Sequence, residues 1–167
     1  MTEAPLVVVM GVSGAGKSTV GIALAGLLGV RFVDADALHP PANVAKMAAG
    51  TPLTDPDRWP WLDLVGTALA DARDTGLVVA CSALKRAYRD RIRVAVPAVQ
   101  FVHLIVPRPA LNDRVAGRLD HFMPASLLDS QLETLEPLAA DERGIAIESV
   151  GGVSTTARHA LEELARN

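Results

Sequence analysis

The sequence predicts an α/β protein in which a parallel β-sheet is buried between layers of helices, in a single domain over residues 1–167. Three observations carry this expectation. Short continuous apolar runs alternate along the chain with longer stretches of helical spacing. The apolar runs lack the strict polar–apolar alternation of a half-exposed strand, as strands covered on both faces should. Hydrophobic residues make up 50% of the 167 and charged residues 21%, enough for a sizeable core and too apolar for a disordered chain.

The elements follow in order. Leu6–Met10 reads as the first strand. Lys17–Leu28 is helical, with Val20, Leu24, Leu27 and Leu28 in register and Gly29 as its stop. Arg31–Asp34 is a short strand. Pro41–Ala49 is a short helix with prolines at its start and Gly50 at its end. Thr51–Trp59, dense in Pro and Asp, reads as loop, and Pro60–Thr75 as a helix with Leu62, Val65, Leu69 and Ala72 on one side. Leu77–Cys81 is a strand, Lys85–Val94 a basic helix and Gln100–Val106 a strand. Pro109–Arg118 and Ser126–Glu136 are helical around a break at His121–Ala125. Ile145–Val150 is the last strand and Ser154–Arg166 the closing helix. Strands joined through helices require crossover connections, hence parallel pairing.

Composition excludes several classes. Sixteen Lys+Arg against nineteen Asp+Glu give a net charge of −3, which argues against a broad nucleic-acid grip. The one cysteine, Cys81, rules out an internal disulfide framework and a Cys-rich metal module. No run approaches the ~20 apolar residues of a membrane span. Glu3 and the brevity of Leu6–Met10 do not fit a secretory signal. The expectation is a cytoplasmic protein with neither membrane nor nucleic-acid partner.

Gly11-Val12-Ser13-Gly14-Ala15-Gly16-Lys17-Ser18, followed by Thr19, matches G-x-x-x-x-G-K-[ST] in full and sits where a strand ends and a helix opens. A phosphate chain needs many donors in a small space. Glycines let backbone N–H groups turn inward, and the helix start adds partial positive charge. Residues 11–19 are therefore the expected ATP cradle, with Lys17 reaching the β/γ-phosphates and Ser18 ligating Mg²⁺.

The strand Leu77–Ala80 ends in Cys81-Ser82, without the acid that common P-loop ATPases place there, and no Asn-Lys-x-Asp guanine-reading motif occurs. The acids stand instead after the second strand, as Asp34-Ala35-Asp36. Two carboxylates this close repel unless a cation or a hydroxyl uses them. Asp34 suits support of Mg²⁺ through water, and Asp36 suits orienting, or taking a proton from, an attacking hydroxyl. Helix capping is the alternative role for such a pair.

Further blocks make the sequence resemble the gluconokinase family. They are Met10–Ser18, Asp34-Ala-Asp-Ala-Leu-His39-Pro40, Asn43 with Lys46-Met47, Pro52-Leu-Thr-Asp-Pro-Asp-Arg58-Trp-Pro-Trp61-Leu62, Cys81-Ser-Ala-Leu-Lys85-Arg86-Ala-Tyr88-Arg-Asp90, Arg118, His121-Phe-Met-Pro124 and Gln131-Leu-Glu-Thr-Leu-Glu136. The resemblance runs from about Val7 to Asp141. It implies ATP- and Mg²⁺-dependent phosphorylation of D-gluconate to 6-phosphogluconate by a homodimer. It also implies the P-loop kinase fold, with five parallel strands in the order 2-3-1-4-5 and a mobile lid within about 114–136.

A polyol carboxylate needs cations and hydrogen-bond partners. Arg58 precedes a predicted helix, and Lys85 and Arg86 open another, both at the carboxyl edge of a parallel sheet. These three, with Asp36, His39 and His121, are the expected substrate contacts; an arginine fork suits a carboxylate. Arg118 in the lid is the expected cation on the transferred phosphoryl group, with Arg114 the second candidate and a nucleotide contact. Arg89, Arg91 and Arg93 read as a solvated, salt-bridged face, Trp59 and Trp61 as packing anchors, and Cys81 as a buried hydrophobe. Two other functions remain open at this point. One is a different small-molecule kinase of the same fold, such as one acting on shikimate, whose usual Gly-Gly-Gly run is here Cys81-Ser82-Ala83. The other is a nucleotide switch without turnover.

Overall fold

A computed structural model of the chain describes residues 3–116, 125–149 and 151–167. Five strands form one parallel sheet in the order β2-β3-β1-β4-β5, with β1 (Leu6–Met10) central, flanked by β3 (Leu77–Ala80) and β4 (Gln100–Ile105). β2 (Arg31–Asp34) and β5 (Gly144–Glu148) are the edges. Seven helices connect and cover them among the described residues: α1 (Lys17–Leu28), α2 (Pro41–Ala48), α3 (Asp55–Asp71), α4 (Arg86–Ala95), α5 (Arg108–Ala116), α6 (Ala125–Thr134) and α7 (Val153–Arg166).

The pleat sorts β1 between two cores. Val7 and Val9 pack with Val20, Leu24 and Ala25 of α1 and with Ala157, Ala160 and Leu164 of α7. Leu6, Val8 and Met10 face the other way, onto Leu62, Val65 and Leu69 of α3 and Tyr88 and Ile92 of α4. All five β1 residues are buried, which is why the strand reads as an unbroken apolar run. A third, smaller cluster of Val12, Leu84, Leu111 and Leu128 lies over the carboxyl edge of the sheet.

The strands and most helices lie within a residue or two of their expected positions. The helix expected over Pro60–Thr75 differs at both ends, running from Asp55 to Asp71. The segment expected as loop over Thr51–Trp59 already enters α3 at Asp55. Thr54 caps it: its hydroxyl accepts the Asp57 N–H, and the Asp57 carboxylate accepts the Thr54 N–H. Pro56 falls in the first turn, where a missing N–H is harmless. Pro60 is carried inside the helix. The Pro and Asp residues that suggested a loop are the start signal of a helix. A short 3-10 turn, Ala35–Leu38, also follows β2, capped by Asp34.

The basic helix α4 corrects a second expectation. Arg91 is solvated and pairs with Asp63 at 2.6 Å. Arg89 is fully buried. Its guanidinium forks onto Glu142 at 2.7 and 2.9 Å and donates to the Ala83 carbonyl at 2.9 Å. Arg93 adds a contact to Glu142 at 2.7 Å and stacks over Phe101. Helix α4 turns one cation inward because the chain around 137–142 brings it a carboxylate and carbonyls. Burial pushes the Glu142 carboxyl up, but the bonds from Arg89, the Ala139 N–H and Arg93 outweigh it and hold the group at about 2.

A carboxyl depressed in the folded state stabilises above its unfolded value of 4.5, and that contribution is lost as pH falls toward about 2. Glu142→Gln is expected to lose roughly 3–5 kcal/mol, the range for breaking a buried ion pair. Urea unfolding should register this at neutral pH, together with a flatter stability profile across that acid window.

Candidate active site

The sheet register assembles the site. β2 and β1 both pair with β3, so that Asp34 and Val9 each stand opposite Ala80. The Met10–Gly11 turn, the Asp34–Asp36 turn and the Cys81–Arg86 loop therefore emerge side by side at the carboxyl edge. The Gly11 N–H donates to the Ser82 carbonyl at 3.3 Å, tying two of them directly.

The residue 11–18 loop has the backbone a phosphate cradle needs. Gly14 (φ 84°) and Gly16 (φ 91°) are left-handed, a conformation that disfavours a side chain. Gly16 is the N-cap of α1 and carries no side-chain cap, so the helix start is open to an anion. Lys17 Nζ donates to the Val12 carbonyl at 3.0 Å, folded back over the loop. The Ser18 hydroxyl donates to Asp34 Oδ2 at 2.7 Å, and Asp34 Oδ1 accepts the Asp36 N–H at 3.0 Å. Asp34 is thus both the cap and the partner of Ser18, while Asp36 is exposed. Ser18 Oγ and the Asp34 carboxylate put hard oxygen donors side by side, which fits Mg²⁺; that ion takes few protein ligands and completes its shell with phosphate and water.

Beside the cradle is a cleft of about 390 Å³, lined by residues including Gly14, Thr19, Arg114, Ser149 and Val153. Arg114 lines it, donating to the carbonyls of Gly14 (3.1 Å), Ala15 (3.3 Å) and Ser149 (3.2 Å). Ser149 and Val153 were not legible as site residues. Ser149 follows β5 and Val153 opens α7, and only the fold brings them beside the loop.

On the other side, the expected acceptor residues gather around Asp55. Tyr88 Oη donates to it at 2.5 Å, Lys85 Nζ at 3.2 Å, and Arg58 lies at 3.7 Å while also donating to the Leu53 carbonyl at 2.7 Å. Both cations lie near the Tyr88 ring. The Tyr88 and Lys85 hydrogen bonds outweigh desolvation and hold the Asp55 carboxyl below the usual range; Asp55 in turn raises Lys85. Two cations share one carboxylate, leaving a net positive patch for an acid. His39 stacks on Trp61 at 4.2 Å, and burial lowers its pKa. Trp61 is buried and donates its indole N–H to the Ala35 carbonyl at 2.7 Å, anchoring the acidic turn as a packing residue should.

Arg86 is placed differently from the others. Its guanidinium forks onto Asp141 at 2.7 Å in both arms, and its N–H is accepted by Glu136 at 3.3 Å. Arg118 and His121 lie outside the described residues.

A five-stranded parallel sheet in this order, with such a loop off its central strand, is the P-loop kinase fold. A family model described as an AAA domain matches residues 6–138. A gluconokinase of Gluconobacter oxydans is 52% identical over 142 residues, 84% of this chain and 80% of its own. The thermosensitive gluconokinase of Escherichia coli is 45% identical, over 83% and 75% of the two chains. The crystal structure of a gluconokinase from Sinorhizobium meliloti superposes with a TM-score of 0.88 at 48% identity, over 97% of this chain and 92% of that one. The chain belongs to the gluconokinase family, and with it goes ATP binding.

Cys81 is fully buried under this site, and desolvation pushes its thiol up to about 12. The folded protein should therefore resist alkylation by iodoacetamide at pH 8 and react rapidly once denatured, as mass spectrometry of the labelled chain would show.

Proposed function

We propose that this chain transfers the terminal phosphoryl group of ATP to the 6-hydroxyl of D-gluconate, giving ADP and 6-phospho-D-gluconate. The observation that carries the reading is the pairing of an intact phosphate cradle with a cation cluster across the same sheet edge, in a chain of this family.

The amides of residues 11–19 other than that of Ser13, whose N–H is taken by Gln131, hold the phosphates together with Lys17, and the 390 Å³ cleft beside Arg114 takes the adenosine end. Ser18 and Asp34 hold Mg²⁺, which when bound offsets charge on the phosphate oxygens. Arg58 and Lys85 grip the gluconate carboxylate, and His39 pairs with its hydroxyls. Asp36 orients the acceptor hydroxyl and takes its proton as that oxygen bonds to the γ-phosphorus and the bond to the β–γ bridging oxygen breaks. Arg118 supplies the cation on the group in flight, within a lid over about 114–136, and His121 joins the substrate contacts. Arg86 reaches the sugar acid by exchanging Asp141 for it. That pair is exposed, so the exchange costs little. A cytoplasmic homodimer completes the reading; no helix among the described residues is long and apolar enough to cross a membrane.

The direct experiment is a coupled ADP-release assay with gluconate, shikimate and nucleoside monophosphates as acceptors. Gluconate alone should support turnover, and none with gluconate would sink the reading. Lys17→Ala should cut kcat by a factor of about 100 or more with the fold intact, given what a positioned cation contributes to phosphoryl transfer. Arg58→Ala should raise the KM for gluconate and leave that for ATP near wild type; the reverse pattern would assign Arg58 to the nucleotide.

A further inference from the structure

One contact at the cradle comes from the protein itself. The Ser13 N–H donates to Gln131 Oε1 at 2.8 Å, across 118 residues of sequence. A backbone N–H can only donate, so the facing atom of the side chain is the carbonyl oxygen, and the amide nitrogen carries two donors with no acceptor among the described residues.

The contact is not isolated. Leu128, one turn earlier on α6, is 1% exposed and packs with Val12 of the same loop. Leu132 and Leu135 pack against that cluster, which also holds Leu84 of the acceptor-side loop. Just beyond α6 the Glu136 N–H donates to the Leu84 carbonyl at 2.7 Å, and its carboxylate accepts the Arg86 N–H. One stretch of chain therefore grips the nucleotide loop through residues 128 and 131 and the Lys85 loop through residues 135 and 136.

We propose that Gln131 is a positioning residue for phosphoryl transfer: its carbonyl oxygen fixes the Ser13 N–H, and through α6 it holds the nucleotide loop in register with the acceptor loop. This rests on the reading of the site as a gluconate kinase. A neutral amide suits the position. It supplies an acceptor to the loop without placing a negative charge against the phosphates, as a carboxylate would. Sub-ångström register matters because transfer requires the acceptor oxygen and the phosphorus to be aligned, and misplacement lets water compete.

The test uses the full chain and measures ADP release and 6-phosphogluconate formation in parallel. Gln131→Leu keeps the bulk and removes the acceptor. It is expected to lower kcat about tenfold or more, to leave the KM for gluconate within about threefold, and to raise the ratio of ADP to phosphorylated product above the wild-type value. A purely structural role would not move that ratio. Gln131→Glu keeps an acceptor but adds charge, and should weaken ATP binding about tenfold in a direct titration. A Gln131→Leu enzyme with wild-type kcat and ratio overturns the proposal. So does a kcat loss that only follows a lowered folded fraction in thermal melts. The ATP titration needs no acceptor: wild-type affinity in Gln131→Glu overturns the proposal even if gluconate is not the substrate. Failure of the wild-type enzyme to phosphorylate gluconate would instead overturn the functional reading.

Discussion

The bond from Ser18 to Asp34 exists because two strands that do not pair with each other are measured against the one between them. β1 and β2 never touch; each pairs with β3, and the shared register sets the end of one level with the end of the other. Slip either pairing by a residue and the strand's side chains exchange faces, so the two cores that sandwich β1 also lock the register. The pairing of Ser18 with Asp34 is therefore a consequence of valine packing below it. The open helix start at Gly16 is reached through a left-handed turn, with Gly14 and Gly16 both at positive φ.

The loop after β3 is stiffened by a different device. Ala83 has a φ of 44°, the one non-glycine in the left-handed region among the described residues, and it lies in the loop that presents Lys85. Its carbonyl and that of Leu84 are both held by Arg89, whose charge is balanced by Glu142 from beyond α6. A left-handed alanine costs of the order of 1 kcal/mol or more and persists only where its surroundings enforce it. The buried arginine is what enforces it here. Asp55 plays the corresponding part for the side chains, keeping Lys85 and Arg58 together although their charges repel.

Much of this was legible in the sequence where local chemistry decides the outcome. The strands are unbroken apolar runs because both faces are buried, and the cradle declares itself because only closely spaced glycines ending in Gly-Lys-Ser fit that turn. The paired acids after β2 and the cations after β3 were placed by the parallel sheet alone. What escaped depends on distant partners. Arg89 looked like its neighbours Arg91 and Arg93 until Glu142, 53 residues away, was folded against it. The cleft wall at Ser149 and Val153 and the bond to Gln131 are equally non-local. The start of α3 is ambiguous for another reason: Asp and Pro serve both loops and first turns, and the capping box at Thr54 and Asp57 is the signal that tells them apart.

The placement of the aromatic residues gives the molecule an optical asymmetry. Trp61 lies under His39 and is bonded to the turn between the two acids, while Trp59 meets Tyr88 edge-on in the cation cluster. No other tryptophan occurs in the chain. Tryptophan fluorescence therefore originates on the side of the sheet edge that carries Asp55 and Lys85, and no tryptophan lines the cleft beside Arg114.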